Sequence, residues 1–337
     1  MIRHLETAAL EMYCAAFISK LSILFSFWRL KAALVLVLAV VEFAVGTQNP
    51  YLRERAQQGT RVPSVINESA SIVDAHVHLN DATMQLELMK EYGIERAVVF
   101  WGRNSDNESL IKAARSHPDK FIPFVSVSPE RSVYRELWQR VDPKLLAILE
   151  DYLKSGVFKG IGEISVTHFP ERGFPEADFS PISPLMKGIM KLAKKYRVPI
   201  TLHCEITRIR EFSELLNEFK DVNVIWAHGG YTPYFLAKRM LENHANLYYE
   251  LSARTWLNHP RSPEYTIFKN ATDVWLQWLE LIESSPDRFL MGTDASHHAR
   301  ESEKRKIESV QLLLRQLSPK TRGLVARKNL LGLVRHN

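Results

Sequence analysis

A (β/α)8 TIM barrel is the fold class that this 337-residue sequence predicts, and three observations predict it. Short β-branched or apolar runs alternate eight times with longer amphipathic stretches, and strands in such an order are parallel because each helix makes the crossover. No Gly-rich phosphate turn follows the first run, which favours closure over a doubly wound open sheet. Side chains of metal-ligand type recur at the C-terminal ends of the runs, the end where barrels of this kind carry their chemistry.

The elements follow in order. "SIVDAHVH" (71–78) is the first strand, with a helical "ATMQLELMKEYG" behind it, and "IERAVVFW" (94–101) is the second, followed by "SLIKAARSH". "FIPFVSVSP" (121–129) is the third, and a helical "DPKLLAILEDYLKSG" precedes the fourth, "VFKGIGEISV" (157–166). "SPLMKGIMKLAKKYR" then leads into "VPITLHCE" (198–205), and "IREFSELLNEF" into "VNVIWAH" (222–228). "YFLAKRMLENH" precedes "NLYYELSA" (246–253), and "DVWLQWLELIESS" precedes "RFLMGTD" (288–294). "SEKRKIESVQLLLRQL" and "TRGLVARKNLLGLV" read as extra terminal helices packed on the barrel, which is assigned to residues 71–337.

A hydrophobic fraction of 46% with 24% charged residues describes an ordinary globular chain with a sizeable core and excludes disorder. The net charge is +6, and ten Lys/Arg against three Asp/Glu lie from His298 onward. This reads first as a solvated helical face, so nucleic acid is not the favoured partner. Two cysteines, Cys14 and Cys204, are too few for a disulfide framework, and Cys204 reads as a small buried hydrophobe facing away from its neighbour His203.

Residues 1–47 read as a signal peptide or membrane anchor and 48–70 as a polar linker. "AALVLVLAVV" (32–41) is uncharged, lies behind the basic "WRLK", and is followed by the small residues Ala44-Val45-Gly46, where a signal peptidase would cut. Glu42 and the long stretch before the run disturb that pattern, and Leu21 to Val45 approaches the ~20 residues that span a bilayer. The expected location is therefore exported (periplasmic or secreted) or membrane-anchored, and cytoplasmic if the segment is a start-site artefact. Membrane contact is expected only through this segment; nothing in the sequence fixes the oligomeric state.

The candidate site starts from "VDAHVHLN". His76 and His78 stand two apart on a strand, so their imidazoles share one face in a chelating arrangement. Alone this is weak, but Glu163 lies late in strand four, His203 ends strand five, His228 ends strand six and Asp294 ends strand eight. Four imidazoles and two carboxylates then face one small volume. Nitrogen and oxygen donors without thiolate suit Zn²⁺, Mn²⁺, Fe²⁺ or Co²⁺, and availability favours zinc.

"VDAHVHLN", "ITLHCE", "VIWAHGG" and "RFLMGTDAS" together resemble the amidohydrolase superfamily, in particular its amidohydrolase-related group, over roughly residues 71–334. The resemblance implies a metal-dependent hydrolase on a TIM barrel, with decarboxylases and lactonases among its relatives. It makes His76, His78, His203, His228 and Asp294 the metal-site residues. Glu163, in "GIGEIS", resembles the glutamate of TatD-like deoxyribonucleases that bridges two metals, although the "GLD" usual after it is replaced by "SVTHF". With that bridge, His76, His78 and Asp294 hold one ion and His203 and His228 the other. Without it, one ion takes His76, His78, His203 and Asp294, His228 polarises the substrate, and Glu163 pairs with a cation such as Lys159.

The expected chemistry is attack of metal-activated water on a C–O or C–N bond of a small, acidic or cyclic substrate, with Asp294 as general base and His228 as catalytic partner. Arg103, His168, Arg254 and His297 are candidate substrate-binding residues, and the two arginines suit a carboxylate or phosphate. A non-oxidative decarboxylase, a TatD-like deoxyribonuclease and a non-enzymatic metal-binding protein are the competing readings.

Overall fold

The computed structural model describes residues 71–127, 141, 143–169, 176–257 and 265–334, so the expected leader (1–47) and linker (48–70) lie outside the described residues. The strands are β1 (Ile72–Leu79), β2 (Ile94–Trp101), β3 (Phe121–Val125), β4 (Gly160–His168), β5 (Ala177–Asp178), β6 (Ile200–Cys204), β7 (Val224–Trp226), β8 (Leu247–Glu250) and β9 (Phe289–Leu290). The order is β1-β2-β3-β4-β6-β7-β8-β9 with parallel neighbours throughout.

Closure is made by backbone hydrogen bonds rather than by a long final strand. Ala75 N donates to Met291 O at 2.8 Å, Asp294 N to His76 O at 2.9 Å and His78 N to Ala295 O at 2.8 Å. These bonds join the end of the chain's last strand to its first, giving the (β/α)8 barrel. The strand expected over 288–294 is thus regular only at Phe289–Leu290 and irregular where it carries Asp294.

The helices between strands are α1 (Ala82–Tyr92), α2 (Asn107–Ser116), α3 (Pro143–Lys154), α4 (Pro184–Tyr196), α5 (Ile209–Glu218), α6 (Tyr234–Asn243) and α7 (Leu276–Ser284). Their starts follow from local chemistry. Asp81 and Asp106 accept from Met84 N and Ser109 N, and Ser183 caps α4 with Pro184 behind it. α8 (Arg300–Leu314) and the terminal helices α9 (Pro319–Gly323) and α10 (Asn329–Val334) follow β9, as the sequence predicts.

Leu330, Leu331, Leu333 and Val334 of α10 pack with Val73, Val98, Ile122, Phe124, Ile225 and Leu290 of the strands in one buried cluster. Each such Leu contributes roughly 1.5–3 kcal/mol by leaving water. Arg327, just before α10, is tied by two hydrogen bonds to Glu95 at the start of β2, at 2.6 and 3.0 Å.

Two features depart from the sequence reading. β4 starts three residues later than expected and ends two later, at His168, and β5 folds back antiparallel on its end, pairing Ala177 with His168 and Asp178 with Thr167. Among the described residues, no helix is long and apolar enough to cross a membrane.

Candidate metal centre

Six donor side chains meet at the C-terminal ends of the strands. His76 and His78 share a face of β1, with their Nε2 atoms 3.3 Å apart. Glu163, from β4, brings Oε2 to 3.5 Å from His76 Nε2 and 3.3 Å from His78 Nε2. Asp294 Oδ1 lies 3.7 Å from both of those nitrogens. The other oxygen, Oε1, is 3.2 Å from His203 Nδ1 on β6 and 3.8 Å from His228 Nε2 after β7. Among the described residues, the ion pairs of Glu163 are all with imidazoles, and Lys159 is not one of its partners.

Glu163 therefore divides the donors into two sets, His76, His78 and Asp294 on one side and His203 and His228 on the other. Ligands held 2.0–2.1 Å from a tetrahedral ion sit about 3.3 Å from one another, close to the separations found in both sets. The outer nitrogens fit the same picture. His78 Nδ1 donates to Trp101 O at 2.9 Å, His76 Nδ1 to Glu250 Oε2 at 3.2 Å, and His203 Nε2 to Glu205 Oε1 at 3.1 Å. His228 Nδ1 faces Ser252 O at 3.1 Å and Ser252 Oγ at 2.8 Å. With each outer N–H so engaged, each ring turns its other nitrogen toward Glu163, the orientation that suits a metal ligand.

The electrostatics also favour a cation. Burial opposes charge on His76, yet Glu163 and then Glu250 hold its pKa well above the usual 6.5. Burial likewise acts against His203, and Glu163 and Glu205 still lift it to about 9. His228 goes the other way, well below 6.5, through burial and then the charges of His76 and His203. Burial favours a neutral Glu163, but His76 and His203 keep its carboxyl well below the ordinary range.

His228 is held by an unusual turn. His228, Gly229, Gly230 and Tyr231 have φ of 55°, 52°, 57° and 52°, all left-handed. A Cβ on Gly230 would lie 2.1 Å from Cys204 O and one on Gly229 1.8 Å from the Tyr249 ring, so "HGG" is dictated by space. Of the six described non-glycine residues with positive φ, five (His228, Tyr231, Ala253, Asp294 and His297) lie in segments that follow β7, β8 or β9. Such conformations cost of order 1–3 kcal/mol each and gather at functional sites.

The four substrate-binding candidates fare differently. The His168 ring lies 4.9 Å from that of His203. Arg103 is exposed in the turn after β2 and pairs with none of the described residues. Arg254 is not a solvent-facing clamp. It is 1% exposed, donates to Thr232 O and lies over the Trp278 ring of α7, because the loop after β8 folds it into the barrel wall. His297 is likewise committed to structure, accepting from Asn80 N through Nδ1 at 3.3 Å and bonding Gln85 Oε1 through Nε2 at 2.8 Å. Loop direction decides both cases, and residue type does not reveal it.

Sequence reasoning missed Asp74, Glu205, Glu250 and Ser252. Asp74 accepts from His76 N, Thr293 N and Thr293 Oγ1, locking β1 to the segment before Asp294, and burial raises its pKa to about 6. The available signal was a carboxylate at, or just past, the C-terminal end of a barrel strand, "LHCE" and "LYYE".

A family model described as amidohydrolase matches residues 73–329. An uncharacterized metal-dependent hydrolase of Haemophilus influenzae is 25% identical over 150 residues, 44% of this chain and 57% of that protein. The chain thus spans less than two thirds of that relative's length. A TIM-barrel protein of Bordetella bronchiseptica is similar in structure with a TM-score of 0.57 at 15% identity, over 79% of this chain and 98% of the other. A 2,6-dihydroxybenzoate decarboxylase has a TM-score of 0.53 at 13% identity, over 79% and 99%. Likeness at these identities shows the shared fold.

Proposed function

The chain belongs to the amidohydrolase family, and on that footing we propose that it is a hydrolase working with two divalent cations, zinc by preference, one on each side of Glu163. The observation that carries this reading is that the four imidazoles face the two oxygens of one carboxylate in pairs, with Asp294 beside the His76 and His78 pair. A cation held there supplies Lewis acidity to a substrate oxygen and brings the pKa of water from ~16 toward ~7.

The protein's own groups do the rest. Asp294, with a fifth of its side chain exposed and Oδ1 at 3.7 Å from two imidazoles, takes the proton of the attacking water and returns it to the leaving group. His228 serves as a donor in this arrangement; in a one-cation site it would polarise the substrate. His168 and Arg103 at the mouth meet the acidic part of a small substrate in which a C–O or C–N bond is cut.

The test is metal content per chain on protein purified without chelator, beside product analysis. Two ions in the wild type, fewer in Glu163→Gln, and release of acid or amine support the reading. One ion, or released CO₂ in place of hydrolysis products, overturns it. A nuclease is the second reading, favoured by the position of Glu163 and by the basic residues from Arg300 onward. Cleavage of single-stranded DNA that vanishes in Glu163→Gln would select it. We also propose export, on the apolar run 32–41, with N-terminal sequencing of the mature protein as its check.

A further inference from the structure

Glu250, the last residue of β8, is fully buried on the side of His76 and His228 that faces away from Glu163. Its carboxylate receives four donors. Ser252 N donates to Oε1 at 2.5 Å, while Ser252 Oγ (2.7 Å), His228 N (3.2 Å) and His76 Nδ1 (3.2 Å) all donate to Oε2. The Ser252 hydroxyl proton goes to Glu250, so Oγ accepts from His228 Nδ1 at 2.8 Å. One carboxylate thus reaches His76 directly and His228 through one hydroxyl.

Only a carboxylate satisfies this arrangement, because every group aimed at it is a donor. A glutamine would turn an NH₂ toward one donor in the Oε1 place or three in the Oε2 place. The room for it is also made to measure, since a Cβ on Gly292 would sit 2.3 Å from Glu250 Oε1. Glu205, by contrast, engages His203 alone among the four imidazoles, and His78 relies on a backbone carbonyl.

We propose that Glu250 is the positioning residue that fixes His76 and His228 together with Nδ1 protonated and Nε2 free, so that a single buried carboxylate holds one donor of each cation position. The stoichiometric part of this proposal rests on the two-cation reading. It makes the two positions rise or fall together when Glu250 is changed, and separately when Glu205 is changed.

The experiment is titration of chelator-stripped protein with zinc, counting ions and affinities, with proton NMR of the histidine Nδ1–H signals at saturating zinc. The wild type should bind two ions. Glu205→Gln should weaken one position 10–100-fold and Glu250→Gln both, the usual scale for losing an outer partner of a metal ligand. In Glu250→Gln the Nδ1–H signals of His76 and His228 should broaden while that of His78 stays sharp. Ser252→Ala, a milder change, should weaken only the position served by His228, and it decides the matter if Glu250→Gln does not fold. Two full-affinity ions in a folded Glu250→Gln, or loss at one position alone, overturns the proposal. A wild type that binds one ion refutes the two-cation reading instead, and the His76 and His228 signals then judge Glu250 by themselves.

Discussion

The two ends of the barrel are built from opposite materials. At the C-terminal mouth, four imidazoles and the carboxylates of Glu163, Glu205, Glu250 and Asp294 crowd together, and left-handed backbone is concentrated. At the other end, the Leu and Val side chains of α10 close the strands with an apolar plug, and the charges there, Glu95 and Arg327, pair near the surface. One end accepts repulsion and strain to present donors, and the other supplies the cohesion that makes this tolerable. Damage at the mouth should cost chemistry, and damage at the plug should cost stability.

The largest expected effect is Asp294→Asn, which keeps the fold and much of the metal but should lower kcat about 10²–10⁴-fold, the range for a lost general base. Steady-state kinetics beside metal analysis checks it, and unchanged turnover in a metal-loaded variant removes Asp294 from that role. Next, Leu330→Ala, at a side chain 1% exposed, should cost about 2–5 kcal/mol in denaturant unfolding. Zinc affinity per folded molecule should stay as in the wild type; a parallel loss would show that the two ends are not separable.

Smaller is Glu205→Gln, whose 10–100-fold weakening of one cation corresponds to about 1.4–2.8 kcal/mol and is read by zinc titration beside the wild type. The smallest concerns pH. Arg327, with help from Ser71, holds the Glu95 carboxyl down at about 2 from its usual 4.5. The stabilisation is therefore complete above pH 4.5 and lost as pH falls toward 2. Both partners are about a third exposed, so solvent screening limits it to ~1 kcal/mol or less. Acid unfolding of Glu95→Gln should lack that part of the wild-type decline.

The apolar end and the strand order were legible because burial leaves a pattern: β-branched runs such as "IERAVVFW" recur at regular intervals. The six donors were legible for a related reason, since strand ends in a barrel converge whatever lies between them. His168 kept its expected place because β4 continues through it. Arg254 and His297 did not, because the loops after β8 and β9 turn them into hydrogen bonds that no spacing announces. Glu205 and Glu250 were overlooked for the opposite reason. Glu250 acts through an imidazole 174 residues away and Glu205 through one only two residues away, and in either case a carboxylate one hydrogen bond removed carries no motif of its own.

The seam between β1 and the segment after β9 has a temporal meaning. Asp294 is made more than two hundred residues after His76 and His78, so this part of the donor set cannot assemble on a ribosome-bound chain that has not yet reached that residue. Until then a nascent polypeptide has no finished centre to react with, and competence waits on the segment that follows β9.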